Sequence, residues 1–493
     1  MRQTIKTLLS FVALQTMCFL VANATVYTGK CGENATYKFD SETGQMKITG
    51  KGDMAFFEGE IFFRYESYVE SIVIGEGITS IHNYAFYQYQ NVLSVELPKT
   101  LVSIGTHAFD RCWRLPEINI PKSVMSIGEY AFYQCHELRS IVIPEGVTTI
   151  SDGLVKECHK LETISMPSTV TTIGASAMEY CEALTTIELP ASLTEIGEYA
   201  FANSTGITSV NIPQTVTNLG NYAFKNCSNL KSVTIPTSFT TINEYLFQGC
   251  TNLTEFNIHE GITRIGAGAF MDSGLTEVKL PASVKEIGYE AFKNCKNLTS
   301  ISIPDFVTYL NNNTFWGCSG LTSIILPATL TGIGDGAFRD CKNLTEINIP
   351  DGVTQIGCAA FRGAGLTAIT IPQKVQNIAE ETFQDCSVLK SVSLPNNCFS
   401  IGKYAFFGCS SLVDISIPKS VKEIGHTAFR DCASLISITL PDGLMTMGDN
   451  TFQGCVNLKS VSLPRANEIP YSAFEDCAEL ETFVIPKMAT KIG

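Results

Sequence analysis

The chain has 493 residues, of which 45% are hydrophobic and 18 are cysteine, and its formal net charge at pH 7 is −14. This length and apolar content are sufficient for a large buried core. The acidic balance argues against nucleic acid and against an anionic membrane face as the main partner, because both repel a negatively charged surface.

The first 24 residues have the composition of a secretory signal peptide. Arg2 and Lys6 form a basic start, an apolar stretch follows at 7–21, and residues 22–24 read ANA, which fits a signal peptidase site. We therefore assign residues 1–24 to a signal peptide and expect the mature chain to be extracellular, either secreted or on the cell surface. No later segment has the 18 or more apolar residues that a span needs, so we expect no membrane insertion after signal removal.

Residues 25–60 differ from the rest of the chain. Two short runs, 35–39 and 45–48, read as strands and are separated by the turn sequence DSETG, which predicts a β-hairpin. We expect this segment to be a small N-terminal β cap, because repeat proteins need to cover the apolar end of the array. A separate ligand-binding module is the alternative.

From residue 61 to the end, the phrase IGxxAFxxCxxLxxIxIP recurs every 22 or 23 residues. This period, with its LxxIxI strand, is typical of a leucine-rich repeat solenoid, an α/β fold in which each unit adds a short strand to a parallel inner sheet. We predict this fold for residues 61–493, with short helical or 3₁₀ outer arms and about 18 units, ending inside a further unit. The phenylalanine position of the repeat falls at Phe86, Phe109, Phe132, Val155, Met178, Phe201, Phe224, Phe247, Phe270, Phe292, Phe315, Phe338, Phe361, Phe383, Phe406, Phe429, Phe452 and Phe474.

A single copy of the repeat illustrates the structural role that we expect for its main positions. Leu344, Ile347 and Ile349 alternate with polar residues, as expected of a half-buried strand. Pro350 ends the strand, because proline has no amide hydrogen for the next rung. Most copies keep the glycine found here at Gly357, which we expect to let the backbone reverse direction.

Fourteen of the cysteines occupy one position of the repeat, three residues after the phenylalanine position. Neighbouring units would bring these sulfurs close to disulfide range, and an exported chain could oxidise them. However, two uninterrupted runs contain an odd number of cysteines, so pairing would leave thiols over. We favour a buried ladder of free thiols, because free cysteine behaves as a small hydrophobic residue.

Two segments near the N-terminus make the resemblance to a known family specific. Residues 31–36 read CGENAT and residues 46–54 read MKITGKGDM, and the repeat described above follows them. Together they resemble the BspA-like, treponema-type leucine-rich repeat surface proteins over nearly the whole mature chain. The resemblance implies secretion or surface display, and binding to host matrix proteins, host cells or other microbes. Relative to full-length members of this family, we expect this sequence to lack the C-terminal sorting or anchoring region.

The candidate binding residues lie at positions whose residue type varies from one copy of the repeat to the next. The position between the two isoleucines of each strand should point away from the core, and it is mostly small and polar. Ordinary surface tolerance is the alternative interpretation at each of these positions. Two tryptophans, Trp113 and Trp316, are candidate exposed aromatic contacts, with packing at the rim as the alternative. The binding candidates on the inner sheet are Glu96, Asn119, Glu188, Asn211, Asn257, Lys279 and Asn348.

Signals for chemistry are weak. His136 and His159 follow cysteines of consecutive units and should stack, but we expect four ligands not to converge there, so we predict no metal site. No phosphate loop and no hydrolase or metalloprotease motif occurs. We therefore predict neither a catalytic site nor a cofactor.

We interpret the chain as a binding scaffold outside the cell, an adhesin that contacts a protein or glycan ligand through its inner sheet. The alternative is an assembly protein that self-associates through its C-terminal end, since the sequence stops at Gly493 within a repeat and leaves a strand edge uncovered.

Overall fold

The computed structural model describes residues 26–55, 66–463, 468–483 and 491–493. The predicted signal peptide at 1–24 lies outside the described residues, as do residues 25 and 56–60 of the predicted cap. Two compact units make up the chain, Met1–Val170 and Thr171–Gly493. Among the described residues, no helix is long and apolar enough to cross a membrane.

In the first unit, an antiparallel β-meander leads into the repeats. Its strands are β1 (Val26–Lys30), β2 (Ala35–Asp40) and β3 (Gln45–Gly50). The predicted hairpin is present as β2 and β3, in the register Phe39 opposite Met46, and β1 adds a strand that the sequence did not suggest. Because β3 pairs in parallel with Ser71–Ile74, the meander is continuous with the sheet of the repeats.

Most repeats contribute two short strands, and strands of neighbouring repeats pair in parallel, so that each unit has two ladders. The first ladder contains the predicted LxxIxI strands, and the second contains the residues just before the repeat glycine. In the first unit, the first-ladder strands are Ser71–Ile74, Ser94–Glu96, Ser140–Val142 and Thr163–Ser165. Its second-ladder strands are Gly52–Asp53, Ile78–Ile81, Ser103–Ile104, Ser126–Ile127 and Thr149–Ile150.

The second unit repeats this arrangement. Its first-ladder strands are Ser209–Asn211, Ser232–Thr234, Glu277–Val278, Ser300–Ser302, Ser323–Ile325, Ala368–Thr370, Ser391–Ser393, Asp414–Ile415, Ser437–Thr439, Ser460–Ser462 and Thr482–Phe483. Its second-ladder strands are Thr172–Ile173, Glu195–Ile196, Asn218–Leu219, Thr241–Ile242, Arg264–Ile265, Glu286–Ile287, Tyr309–Leu310, Gly332–Ile333, Gln355–Ile356, Asn377–Ile378, Ser400–Ile401, Glu423–Ile424, Thr446–Met447, Glu468–Ile469 and Lys491–Ile492.

Strand pairing within each unit is in register with the repeat. Val210 lies opposite Val233 and Asn211 opposite Thr234, so equivalent positions of successive coils are neighbours. The central residue of most first-ladder strands is buried and the flanking two are exposed, as the alternation predicts. The predicted leucine-rich repeat solenoid is therefore confirmed.

The arms on the third side of the coil differ from the prediction. The described residues form turns there, and none of them is helical or 3₁₀. Two residues per arm adopt left-handed backbone, as at Tyr222 (φ 60°) and Asn226 (φ 57°). Their amides donate to the following coil, to the carbonyls of Glu244 at 3.0 Å and Gln248 at 2.6 Å. Because these N–H groups point along the stack, they cannot form the i→i−4 bonds that a helix needs.

The repeat glycine serves a different purpose from the one predicted. Gly357 has no left-handed φ, so the chain reversal does not require a glycine at this position. A Cβ at Gly357 would lie 2.6 Å from the backbone nitrogen of Asp335, and one at Gly220 would lie 2.3 Å from that of Glu198. Glycine is favoured at these two positions because the backbone of the preceding coil lies too close for a side chain.

The core of each coil is filled by the phenylalanine, leucine, isoleucine and cysteine positions. The phenylalanine rings stack from coil to coil, with Phe315 centred 5.6 Å from Phe292 and 5.7 Å from Phe338, nearly parallel to both. The fourteen repeat cysteines, all of them among the described residues, form no disulfides, as we favoured. The thiol of Cys250 donates to the carbonyl of Phe224 in the preceding coil at 3.2 Å. Ser204 replaces a cysteine and donates in the same way to Met178 at 2.6 Å.

Candidate functional site

The exposed positions of the first ladder form the candidate binding surface of each unit, which we call the strand face. Its residues are outward-facing because they alternate with the buried isoleucines of short parallel strands. In the first unit it carries the predicted residues Glu96 and Asn119, both exposed and on consecutive coils. Glu96 lies in a strand, whereas Asn119 lies in an extended segment next to the isolated bridge at Glu117.

The second unit carries the other five predicted residues, all of them exposed. Asn211 lies in a strand, and its side-chain oxygen accepts a hydrogen bond from the hydroxyl of Thr234 on the next coil. Of the described residues at the predicted position in this unit, two are charged, Glu188 and Lys279. The strand face of this unit therefore offers mainly hydroxyl and amide groups. Extended segments outside the assigned strands hold Glu188, Asn257, Lys279 and Asn348.

The structure does not gather the predicted residues into one cluster. Glu188 and Asn211 lie on consecutive coils, and so do Asn257 and Lys279, because each pair is separated by a single repeat. Asn348 is four repeats from Asn257 on the predicted position and lies apart from both pairs within the unit. These residues are therefore distributed along an extended surface.

Asn348 lies in an open groove that crosses several coils of the strand face. The groove has a volume of about 800 Å³ and includes Thr370 and Ser393, which occupy the equivalent position of the next two coils. Two carboxylates, Glu346 and Asp351, also line it. A partner here would meet hydrogen-bonding groups and negative charge at the surface of a shallow depression.

Two features of this surface were not among the predicted binding residues. The residue before the buried central residue of the strand, such as Ser209 or Ser391, is also exposed, so the strand face has two outward rows of side chains. Ile325 is 66% exposed on the coil before Asn348 and adds an apolar contact beside the groove. The alternation of the strand contained the first signal, since positions two residues apart share a face.

The two tryptophans have different surroundings. Trp316 is half-buried between Lys293 (Nζ 4.2 Å from the ring centre) and Arg339 (Cζ 4.7 Å), and its indole N–H donates to Asp340 at 3.1 Å. These contacts favour the packing interpretation for Trp316. Trp113 is 38% exposed.

Trp113 begins a stack of rings on the arm of the first unit. Its ring lies nearly parallel to that of His136, 5.9 Å between centres, and His136 lies 5.2 Å from His159. The two histidines are neighbours on consecutive coils, as predicted, with their ring planes tilted by 33°. Burial lowers the pKa of His136, and the neighbouring His159 lowers it further.

Comparison with known proteins relates the whole repeat region to one family. The sequence profile described as "BspA type Leucine rich repeat region (6 copies)" matches residues 59–185, 171–297, 263–390 and 376–493. No curated protein matches the chain.

Several solved structures are similar to the chain. A leucine-rich repeat protein from Bacteroides ovatus is 27% identical, with coverage of 93% of this chain and 98% of that one and a TM-score of 0.49. A leucine-rich repeat protein from Eubacterium ventriosum is 23% identical, with coverage of 83% and 95% and a TM-score of 0.41. A leucine-rich cell surface protein from Faecalibacterium prausnitzii is 20% identical, with coverage of 95% and 94% and a TM-score of 0.34.

Proposed function

The chain belongs to the BspA-type leucine-rich repeat family, and we propose that it is an adhesin, a binding scaffold outside the cell that contacts a protein or glycan through its strand face. The fold is typical of surface proteins and binding scaffolds. The partner class comprises host matrix proteins, host cells or other microbes. The observation that carries the proposal is the exposure of every predicted strand-face residue, on coils whose buried positions are fixed by the repeat.

The chemistry of the strand face suits an extended partner better than a compact small molecule. Small-molecule sites are usually enclosed and mostly apolar, whereas the groove at Asn348, Thr370 and Ser393 is open and polar. Successive coils repeat the same groups at a strand spacing of about 4.8 Å, so a long chain can form many similar hydrogen bonds. Each contact is weak, and affinity would come from their number.

A triple substitution on the strand face tests this proposal. Glu188→Arg, Asn211→Arg and Asn257→Arg introduce bulky cations on three coils of the second unit without changing a buried position. We expect saturable binding of the purified protein to at least one member of a panel of matrix proteins, mucins and glycans. The triple variant should bind that ligand at least about tenfold more weakly, since the added side chains block close approach.

A matched control separates the strand face from a general charge effect. Thr194→Arg, Thr217→Arg and Thr240→Arg add three arginines at exposed positions next to the second ladder, a charge change of +3 against +4 in the strand-face variant, because Glu188 is itself charged. This control variant should bind like the unmodified protein. Equal loss in both variants, or no saturable binding at all, would contradict the proposal. Light scattering on the same samples detects growth in mass with concentration, which would favour self-association instead.

A further inference from the structure

Three side chains of metal-binding type converge on the arm of the first unit, away from its strand face. His136, Glu157 and His159 each place one potential ligand atom within 4.8 Å of the other two. Glu157 and His159 flank Cys158, whose side chain is buried, so both flanking residues turn outward. His136 occupies the position of His159 on the preceding coil.

The Glu157 carboxylate is held in place by neighbouring donors. The Tyr133 hydroxyl donates to Oε1 at 3.1 Å, and the Gln134 amide donates to Oε2 at 2.7 Å. Gln134 is itself fixed by Arg111, whose Nε donates to its side-chain oxygen at 2.9 Å. Outer hydrogen bonds of this kind orient the ligands in metal sites, and each carboxylate oxygen keeps a second lone pair for an ion.

The donor set determines the class of ion. Two imidazoles and one carboxylate suit Zn²⁺ and similar divalent transition metals, whereas Ca²⁺ and Mg²⁺ prefer oxygen ligands. Ligands at about 2.0 Å from a tetrahedral zinc ion are about 3.4 Å apart. The three side chains are half-buried at the surface, so side-chain rotation of about an ångström can close the site without movement of the coil.

We propose that His136, Glu157 and His159 bind a divalent transition-metal ion of the zinc class, with a fourth position open to water or to a ligand from a partner. The sequence alone suggested two stacked histidines and no third ligand. Glu157 joins them because residues on both sides of a buried cysteine face outward on this arm. This proposal does not depend on the strand-face function, since the two surfaces use different residues.

Calorimetric titration of the untagged protein with Zn²⁺ tests the site directly. A Cys358→Ser background removes the exposed thiol among the described cysteines, which could bind zinc by itself. We expect one ion per chain. His136→Ala and His159→Ala should each weaken binding at least about tenfold, because each removes a direct ligand. Glu157→Gln should weaken it less, since an amide oxygen remains.

Tryptophan fluorescence gives a second readout of location. The chain has two tryptophans, so Trp316→Phe leaves Trp113 as the reporter, and Trp113 stacks on His136. Paramagnetic Ni²⁺ bound at this site should quench Trp113 with the same dependence on His136 and His159 as Zn²⁺ binding. Glu157→Gln keeps the side-chain volume, so weaker binding with unchanged circular dichroism separates loss of a ligand from loss of the fold.

The matched control is His426→Ala, in the second unit. This side chain is 59% exposed and lies 3.7 Å from a carboxylate oxygen of Asp449, so it represents an ordinary surface histidine beside an acid. Its replacement should leave Zn²⁺ affinity and Ni²⁺ quenching unchanged. Absence of saturable Zn²⁺ binding, unchanged binding in both His136→Ala and His159→Ala, or equal weakening by His426→Ala would overturn the proposal.

Discussion

At the scale of single residues, the main conformational cost comes from the left-handed backbone that recurs at fixed positions of each arm. The repeat places Tyr222 (φ 60°) and Tyr245 (φ 53°) at one such position, and the next coil has Gly268 (φ 55°) there. For a residue with a Cβ, this backbone conformation costs about 1–2 kcal/mol of conformational free energy, whereas for glycine it does not. The tyrosines are retained because their rings stack, 4.8 Å apart between Tyr222 and Tyr245.

Ala359 offers a test of this cost, because it occupies the same position with φ 52° and has no ring to stack. Ala359→Gly should raise the free energy of unfolding by about 0.5–1 kcal/mol, since relief of the backbone strain exceeds the added entropy of the unfolded chain. Urea unfolding followed by circular dichroism measures the change.

The neighbouring residue is the control for this substitution. Ala360 is fully buried and has no left-handed φ. Ala360→Gly should lower the free energy of unfolding by about 1 kcal/mol, because it adds backbone freedom and removes a packed methyl group. Equal destabilisation by both substitutions would show that the left-handed backbone at Ala359 stores no recoverable strain.

Stacking between equivalent positions dominates at the scale of the coil. No coil can bury its apolar residues alone, so its phenylalanine is covered by those of the two neighbouring coils. Phe315 is fully buried between Phe292 and Phe338. The substitutions that occur naturally in the repeat, Val155 and Met178, are also fully buried. The position therefore requires an apolar side chain, and the ring adds contact along the stack.

Removal of one ring should loosen a local group of coils. Phe315→Ala is expected to lower the free energy of unfolding by about 3–5 kcal/mol, through lost burial and a cavity in the stack. Hydrogen exchange with mass spectrometry should show the largest loss of protection in the coils of Phe292, Phe315 and Phe338, because coupling in repeat proteins is mainly between neighbours.

Phe306→Ala is the matched control, since Phe306 is 63% exposed in the same coil region. It should change the free energy of unfolding by no more than about 0.5 kcal/mol. A uniform loss of protection along the whole second unit in Phe315→Ala would contradict nearest-neighbour coupling.

Buried thiols along both units are the feature that matters at the scale of the whole molecule. Burial raises the pKa of Cys227 from 9.0 to about 12, and that of Cys386 to about 12 as well. Hydrogen bonds from the thiols to backbone carbonyls, such as that from Cys386 to Phe361 at 2.9 Å, require the protonated form. The folded state therefore keeps these protons at a pH where the unfolded chain releases them.

Alkaline pH should consequently destabilise the protein. The stabilising contribution of these thiols is fully present below pH 9 and is lost progressively between about pH 9 and 12, because the unfolded state binds fewer protons in that window. Urea midpoints measured at several pH values should fall above pH 9. Ultraviolet absorbance of thiolate should appear near pH 9 in urea-unfolded protein and about two to three pH units higher in the folded protein. Thiolate absorbance that rises near pH 9 in folded protein carrying Cys358→Ser would contradict this account.

Much of the fold and part of the candidate site could be predicted from single residues of the repeat. Alternation around Ile347 and Ile349 indicated the first ladder, and the outward positions it assigned are exposed. The second ladder was missed because all but one of its described strands are two residues long and give no alternation to detect, as at Gln355–Ile356. The arms were expected to be helical because a leucine-rich period often includes a helix, whereas their amides bond to the next coil.

The sequence by itself determined the period, the buried positions and the identity of the residues that stack, because a 22- or 23-residue repeat with fixed apolar positions can bury them only against a copy of itself. Tertiary structure alone decided which exposed residues meet. Glu157 joins His136 and His159, and Asn348 shares a groove with Thr370 and Ser393, only after the coils are stacked. The physical reason is that the direction of such a side chain depends on backbone hydrogen bonds to the adjacent coil. That coil lies about 23 residues away in sequence, so the contact cannot be read from neighbouring residues.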